Sequence, residues 1–222
     1  MALALALLGV LAASSSTVAA QSVPVDDTQL AQAALLTADN LPVDWTATAA
    51  PDAAAGDSIR AGIKACKGYQ ATLVSTRQQP RAVAPHFANA NASVDSSVTV
   101  FPSDRESKRT LKIFKDRSVA TCLRKTAVLA IRQSTKQAGS KAVVSSVSAK
   151  RAAVPQAGNE AAGWEVVTRI VEGSQEARIF TDFEVARVGR SLAVFNFQDV
   201  GQPFPALRDS FVTIVVSKLG TA

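Results

Sequence analysis

The sequence predicts an α+β fold, a single domain in which α-helices pack on an antiparallel β-sheet. Three observations lead there. The C-terminal third reads as strands joined by tight glycine turns, the middle reads as two consecutive amphipathic helices, and the last stretch returns to helical spacing. Consecutive strands joined by such short turns must run antiparallel, because a parallel pair needs a long crossover.

Taken in order, TQLAQAALL over 28–36 places Leu30, Ala33 and Ala34 at helical spacing, and Asp39-Asn40-Leu41-Pro42 stops the helix because the residue before proline is driven out of the α region. Residues 45–49 start a strand and 51–56 form a loop. Asp57 then stands at an N-cap position for a helix through Cys66, whereas 70–81 fits no single element. Strand-like runs follow at 83–87 and 93–101, the second alternating through Val94, Val98 and Val100. Pro102-Ser103-Asp104 opens a helix with Leu111 and Phe114 on one face. A second helix over 119–134 is apolar at 119, 123, 127, 130 and 131, and Gly139 ends it. Residues 141–154 alternate loosely, and 158–163 reads as a turn. Residues 164–171 and 177–188 make a hairpin about Gly173-Ser174, and Gly189-Arg190 turns the chain into 191–199, where Ala193, Phe195 and Phe197 share a face. Pro203 and Pro205 suit a helix start, with Leu207, Phe211, Val215 and Leu219 at helical spacing against the strand preference of the β-branched residues at 212–216.

The first twenty residues carry no charged side chain. An apolar run over 2–11, a small-residue stretch and Val18-Ala19-Ala20 before Gln21 have the form of a secretory signal peptide, and the run is too short to span a bilayer. The basic residues that normally precede such a run are missing, so either the start lies upstream or the N-terminal amine supplies the only positive charge; an apolar N-terminal helix of a cytosolic protein is the plainer alternative. The expected organisation is a signal peptide at 1–20, a flexible segment at 21–27 and one domain over 28–222, in a protein that is secreted or held in the cell envelope.

That compartment sets the reading of the two cysteines, Cys66 and Cys122. In an oxidising setting they are expected to form a disulfide. Ile59, Ile63 and Cys66 share one helix face, and Val119, Cys122 and Leu123 share another, so a bridge would join two apolar faces and close a loop worth roughly 4 kcal/mol. A free catalytic thiol is the alternative.

The net charge is +6 and unevenly spread. Residues 105–151 hold thirteen basic side chains against Glu106 and Asp116, while the flanking regions are slightly acidic. A concentrated basic surface attracts anions, which outside a cell means phospholipid headgroups or acidic envelope polymers, with a membrane surface as one partner and nucleic acid excluded. Arg109, Lys112, Arg124 and Lys125 are the candidate ligand contacts. The plainer alternative is that Lys108, Arg109, Lys112, Lys115 and Arg117 simply coat the solvated side of a helix.

Catalytic signatures are sparse. His86 is the single histidine and lies beside Phe87, and no G-x-S-x-G elbow exists to present a serine to it. One histidine and two cysteines do not make a zinc site, and neither a phosphate-binding loop nor a calcium loop occurs, so no metal or other cofactor is expected. Paired carboxylates are the remaining option, since a glycosidase needs only two. Asp182 and Glu184, two apart on a strand, point to one sheet face. Arg169, Arg178 and Arg187 nearby favour cross-strand ion pairs on a solvated surface instead. Nine phenylalanines read as core, leaving Trp45, Tyr69 and Trp164 as aromatic platforms, and Asn91-Ala92-Ser93 fits a glycosylation acceptor.

The segment Leu35-Leu36-Thr37-Ala38-Asp39-Asn40-Leu41-Pro42-Val43-Asp44-Trp45 resembles a recurrent opening of actinobacterial exported proteins. These are related to the extracellular sensor domain of receptor Ser/Thr kinases and to envelope lipoproteins of PsbP-like fold. Val98-Thr99-Val100-Phe101, Cys122-Leu123 and Arg187-Val188-Gly189-Arg190 extend the likeness over most of 28–219. Asp44 stands where that group has glycine, and one cysteine pair stands where the kinase sensors have two. The resemblance implies a non-enzymatic sensor-like α+β domain with a ligand-binding cleft. The alternatives are an envelope hydrolase using carboxylates of the C-terminal sheet and an interaction protein of an envelope complex.

Overall fold

A computed structural model describes residues 26–49, 79–203 and 205–221. The fold is α+β. It contains α1 (Asp27–Ala33), a 3-10 turn (Ala38–Asn40), β1 (Thr46–Thr48), β2 (Arg81–Val83), β3 (His86–Ala88), β4 (Ala92–Val100), α2 (Asp104–Phe114) and α3 (Ser118–Gln137). It continues through β5 (Val143–Ala152), β6 (Glu160–Glu172), β7 (Gln175–Val188), β8 (Ser191–Val200) and α4 (Pro205–Gly220). The strands form an eight-stranded sheet in the order β1-β3-β4-β8-β7-β6-β5, with β2 also paired to β4 and every pairing antiparallel. The expected helix over 57–66, including Cys66, and Tyr69 lie outside the described residues.

The long strands owe their register to their turns. Two residues, Gly173-Ser174, join β6 to β7, with Glu172 opposite Gln175 and Gly173 at φ +62°. Gly189-Arg190 joins β7 to β8 in the same way, with Gly189 at φ +52°. A glycine in the left-handed region at the first turn position matches the twist of the flanking strands. Each side chain therefore has a set face. Ala193, Phe195 and Phe197 of β8 point to one side with Val94, Val98 and Ala186, while Leu192, Val194, Val185 and Phe183 point to the other.

Helices cover both sides. On the first, α4 lays Phe211, Val212, Val215, Val216 and Leu219 on the sheet, and α1 adds Ala31. Burial at i, i+1, i+4, i+5 and i+8 fits a helix face, so packing overrides the strand preference of the β-branched run. Trp45 meets Phe211 edge-on at 5.8 Å, and Lys218 Nζ donates to Leu35 O (2.7 Å) and Asn40 Oδ1 (3.1 Å), tying α4 to the segment after α1. On the second side, α2 inserts Leu111 and Phe114 beside Phe101, Ala162 and Val185. There α3 lies on β5 and β6, with only Val119 and Cys122 fully buried. No free cysteine occurs among the described residues.

Two expectations are corrected. The run 83–87 is not one regular strand. Val83 opposes Ser97 while Phe87 opposes Val94, so four positions on one side span three on the other. The extra residue falls at Ala84-Pro85, where proline has no N–H to give the ladder. It flips the alternation, so Ala82, Ala84 and Phe87 all face the core. The stretch 158–163 is not wholly a turn either, because β6 begins at Glu160 and Gly163 lies within it. A Cβ on Gly163 would stand 2.4 Å from Val154 Cγ2, so this glycine admits a close crossing of the chain.

Candidate ligand-binding groove

The groove is built on α2, whose own sequence forms the helix. Ser103 caps it by accepting from Glu106 N (3.3 Å), and Asp104 and Glu106 place negative charge in the first turn, where the helix dipole favours it. The buried Ser107 hydroxyl lies 2.9 Å from Gly189 O, and Leu111 and Phe114 enter the core. That orientation leaves Arg105, Lys108, Arg109 and Lys112, at i, i+3, i+4 and i+7, as one exposed stripe.

Both ends of α2 are anchored to the sheet. At the start, the buried Arg187 guanidinium of β7 pairs with Asp104 and donates to Gly189 O at 2.9 Å. Its other Nη lies 3.4 Å from Glu160. At the far end, Trp164 Nε1 donates to Phe114 O (2.8 Å), satisfying a carbonyl that the helix leaves open. Arg151 lies over the Trp164 ring, 4.3 Å from its centroid. Lys115 Nζ donates to Glu160 Oε2 at 2.7 Å, and Lys108 lies 3.9 Å from the other oxygen. The Lys115 hydrogen bond, reinforced by the charges of Lys115, Arg187 and Lys108, holds the Glu160 carboxyl below its ordinary range.

Beside the stripe is a groove of about 490 Å³ lined by Arg105, Lys108, Arg109, Lys112, Lys115 and Glu160. Glu160 engages Lys115 and approaches Lys108. Arg105, Arg109 and Lys112 make no ion pair among the described residues. Five cations against one carboxylate create a positive potential, and the open side admits water-borne anions.

The four contact residues expected from the sequence separate here. Arg109 and Lys112 line the groove. Arg124 and Lys125 are exposed on α3 and do not line it, and Arg124 Nη2 donates to Thr121 Oγ1 at 3.1 Å. Arg105, Lys108 and Lys115 join the site through helical spacing that was visible in the sequence. Glu160 comes from a strand 45 residues beyond Lys115, and only the fold brings it there.

The carboxylates of the hairpin require a correction. Asp182 and Glu184 are not on a solvated face paired with Arg169, Arg178 and Arg187. They are buried under α4, with Glu184 fully excluded from solvent, and their cation is Arg208 of α4. Alternation explains the error: Arg187 is an odd-numbered residue of β7 and points to the opposite side of the sheet, toward α2. Arg169 and Arg178 instead pair with a different acid at the exposed end of the hairpin: Glu176 lies 3.7 Å from Arg169 across the strands and 3.5 Å from Arg178 on its own strand.

Arg208 Nη1 donates to Asp182 Oδ2 at 3.0 Å, and its single Nε–H is directed to Asp209 Oδ1 at 3.1 Å. Glu184 Oε1 lies 3.0 Å from that Nε but receives no directed hydrogen bond. Both Glu184 oxygens, Asp182 Oδ1 and Asp199 Oδ2 are buried without a hydrogen-bond partner. Burial pushes the Glu184 carboxyl up to about 7, opposed by the Arg208 charge and assisted by Asp182 and Asp209. Burial likewise raises Asp182 and Asp199. The adjoining cavity, between Phe180, Asp182, Phe197, Asp199, Pro203 and Arg208, measures about 10 Å³, room for roughly one water.

His86 Nδ1 lies 2.8 Å from Asp95 Oδ1 on the side of the sheet opposite α4. No group of three or more metal-ligating side chains is assembled among the described residues, and none of their helices is long and apolar enough to cross a membrane.

No protein-family model matches the chain, and no curated protein matches it. Among solved structures it is similar to the extracellular domain of PknH from Mycobacterium tuberculosis. The identity is 10% and the TM-score 0.37, over 64% of this chain and 64% of that one. A likeness so distant carries no argument about ligand, location or role.

Proposed function

We propose that the protein is an exported, non-catalytic binding module of the cell envelope, sensor-like in character, which takes an anionic or amphipathic ligand in the groove along α2. The observation that carries this reading is the groove itself, with five cations around one carboxylate. The signal-like leader at 1–20 and the anionic surfaces found outside cells support it. So does the anchoring of α2 at both ends, which fixes where its cations stand. A Cys66–Cys122 bridge serves a structural role in this reading, with Cys122 buried at the base of α3.

The test is binding to vesicles of phosphatidylglycerol against vesicles of phosphatidylcholine. The protein is expected to bind the anionic vesicles, and more weakly as salt rises. Reversing Arg105, Arg109 and Lys112 together to Glu should weaken that binding by about tenfold or more. Reversing Arg124 and Lys125 should weaken it less, because these residues stand outside the groove. Equal affinity for the two vesicle types, or groove reversal that changes binding by less than about twofold, overturns the reading.

The hydrolase alternative depends on Asp182 and Glu184 or on His86. The cavity beside the first pair holds about one water, and His86 faces Asp95. Turnover of a polysaccharide or ester substrate that disappears in Asp182→Asn would replace the binding reading with the catalytic one.

A further inference from the structure

The buried carboxylates under α4 play no part in the groove, and their arrangement is costly. Three of them, Asp182, Glu184 and Asp199, lie on one face of β7 and β8, and Arg208 of α4 is the cation set among them. The surrounding elements add little positive charge. Glu165 of β6 stands opposite Asp182 and is itself paired with Lys150 of β5 at 2.9 Å. Asp209 of α4 takes the Nε–H of Arg208. From β4, Val94 and Val98 face this space, and His86 and Asp95 lie on the other side of the sheet. With every acid ionised, the negative charge in this layer exceeds what Arg208 and Lys150 can balance. Four carboxylate oxygens also lack a hydrogen bond, and the small cavity beside Asp182 and Asp199 has room for about one water among them.

We propose that this cluster is a proton-operated latch: α4 is held tightly against the sheet while Glu184, Asp182 and Asp199 share protons, and its hold weakens as those protons leave. Protons on the cluster reduce the uncompensated charge, so that Arg208 can be balanced by a buried carboxylate together with Asp209, its Nε–H acceptor. When the protons are lost, Arg208 in the first turn of α4 is attracted to the cluster, but like-charge repulsion and desolvation among the carboxylates grow faster. Relaxation of α4 admits water to the acids and uncovers Phe195, Phe197 and Phe211. The direction follows from the raised carboxyl pKa values, which make proton release favour the open arrangement. The latch is separate from the α2 groove, on the other side of the sheet, and does not depend on the groove binding anything.

The experiment is amide hydrogen exchange of the full chain between about pH 5 and about pH 8, reading peptides of α4 against peptides of α2. Base catalysis of exchange affects both helices alike, so the ratio of their protection factors isolates the latch. That ratio is expected to fall about tenfold or more in the wild type and to stay within about threefold in Glu184→Gln, which mimics the protonated acid without titrating. Should Glu184→Gln fail to fold, Asp199→Asn is read by the same criterion. A wild-type ratio that does not fall, or one that falls as far in the folded variant, overturns the proposal.

Discussion

The two helix-covered sides of the sheet handle charge in opposite ways. On the α2 side the groove is formed mainly by cations that remain in water. Arg105, Lys108, Arg109 and Lys112 are exposed, and the buried Arg187 has partners for both Nη groups in Asp104, Glu160 and Gly189 O, with its Nε alone left without a hydrogen bond. On the α4 side the charged groups are acids removed from water, with Arg208 shared among them and several oxygens unsatisfied. Exposed charges cost the fold little and are available to a ligand. Buried and incompletely paired charges cost stability and make it depend on pH. The uneven charge seen along the sequence thus becomes two different devices.

Removing the central cation from each side should break the comparison most sharply. Arg208→Met leaves Asp182 and Glu184 buried without their partner, and at neutral pH it should cost about 3–5 kcal/mol in denaturant unfolding. Lys112→Met removes an exposed charge, and stability should remain within about 0.5 kcal/mol of the wild type. Equal losses would mean that the two sides do not differ as described.

The next largest effect is the pH dependence of stability. The folded-state pKa of Glu184 is about 7, raised from 4.5. The fold therefore binds a proton that the unfolded chain has released in this range. Its contribution is fully present below 4.5 and is lost as pH rises through about 7. The loss is on the order of 3 kcal/mol. Glu184→Gln should remove that slope, as measured by unfolding midpoints across the range. Glu160, on the α2 side, is held below its ordinary range, so any stability it adds is lost only on strong acidification.

A smaller effect sharpens the account of how α2 is held. Trp164→Phe keeps the ring and deletes the indole N–H that satisfies Phe114 O, and should cost about 1 kcal/mol. Anionic-vesicle affinity should fall only modestly, because Arg187, Ser107 and Lys115 still anchor the helix. A loss of affinity as large as that from reversing the groove cations would show that helix position, rather than charge, controls binding.

Local patterns made much of this fold legible. The alternation in β4 and β8, the glycine turns at 173 and 189, and the Ser103 cap with Leu111 and Phe114 inward are short-range features, and each appears where the sequence places it. The basic helix face was legible in part for the same reason: Lys108, Arg109, Lys112 and Lys115 read as one coat and line the groove, whereas Arg105 joins them and Arg117 does not. In the site, however, Arg124 and Lys125 were grouped with Arg109 and Lys112 by nearness along the chain. The turn between α2 and α3 puts them on a separate helix, outside the groove.

The sequence by itself determined the α+β class, the strand order within the C-terminal meander and the presence of a cationic face on α2. These follow from periods of two and 3.6 residues and from backbone preferences acting over a few positions. Only the tertiary structure decided which charges are wet and which are dry. Asp182 and Glu184 read as surface acids because nothing in their neighbourhood along the chain reveals that α4, more than twenty residues later, will cover them. Gly163 read as a turn because the close approach of Val154, nine residues earlier, appears only once the chain after β5 folds back along β6, and Glu160 entered the groove through pairing of β6 with β7. Burial is a property of what packs against a residue, and for Asp182, Glu184, Glu160 and Gly163 the packing partner lies outside the residue's own strand.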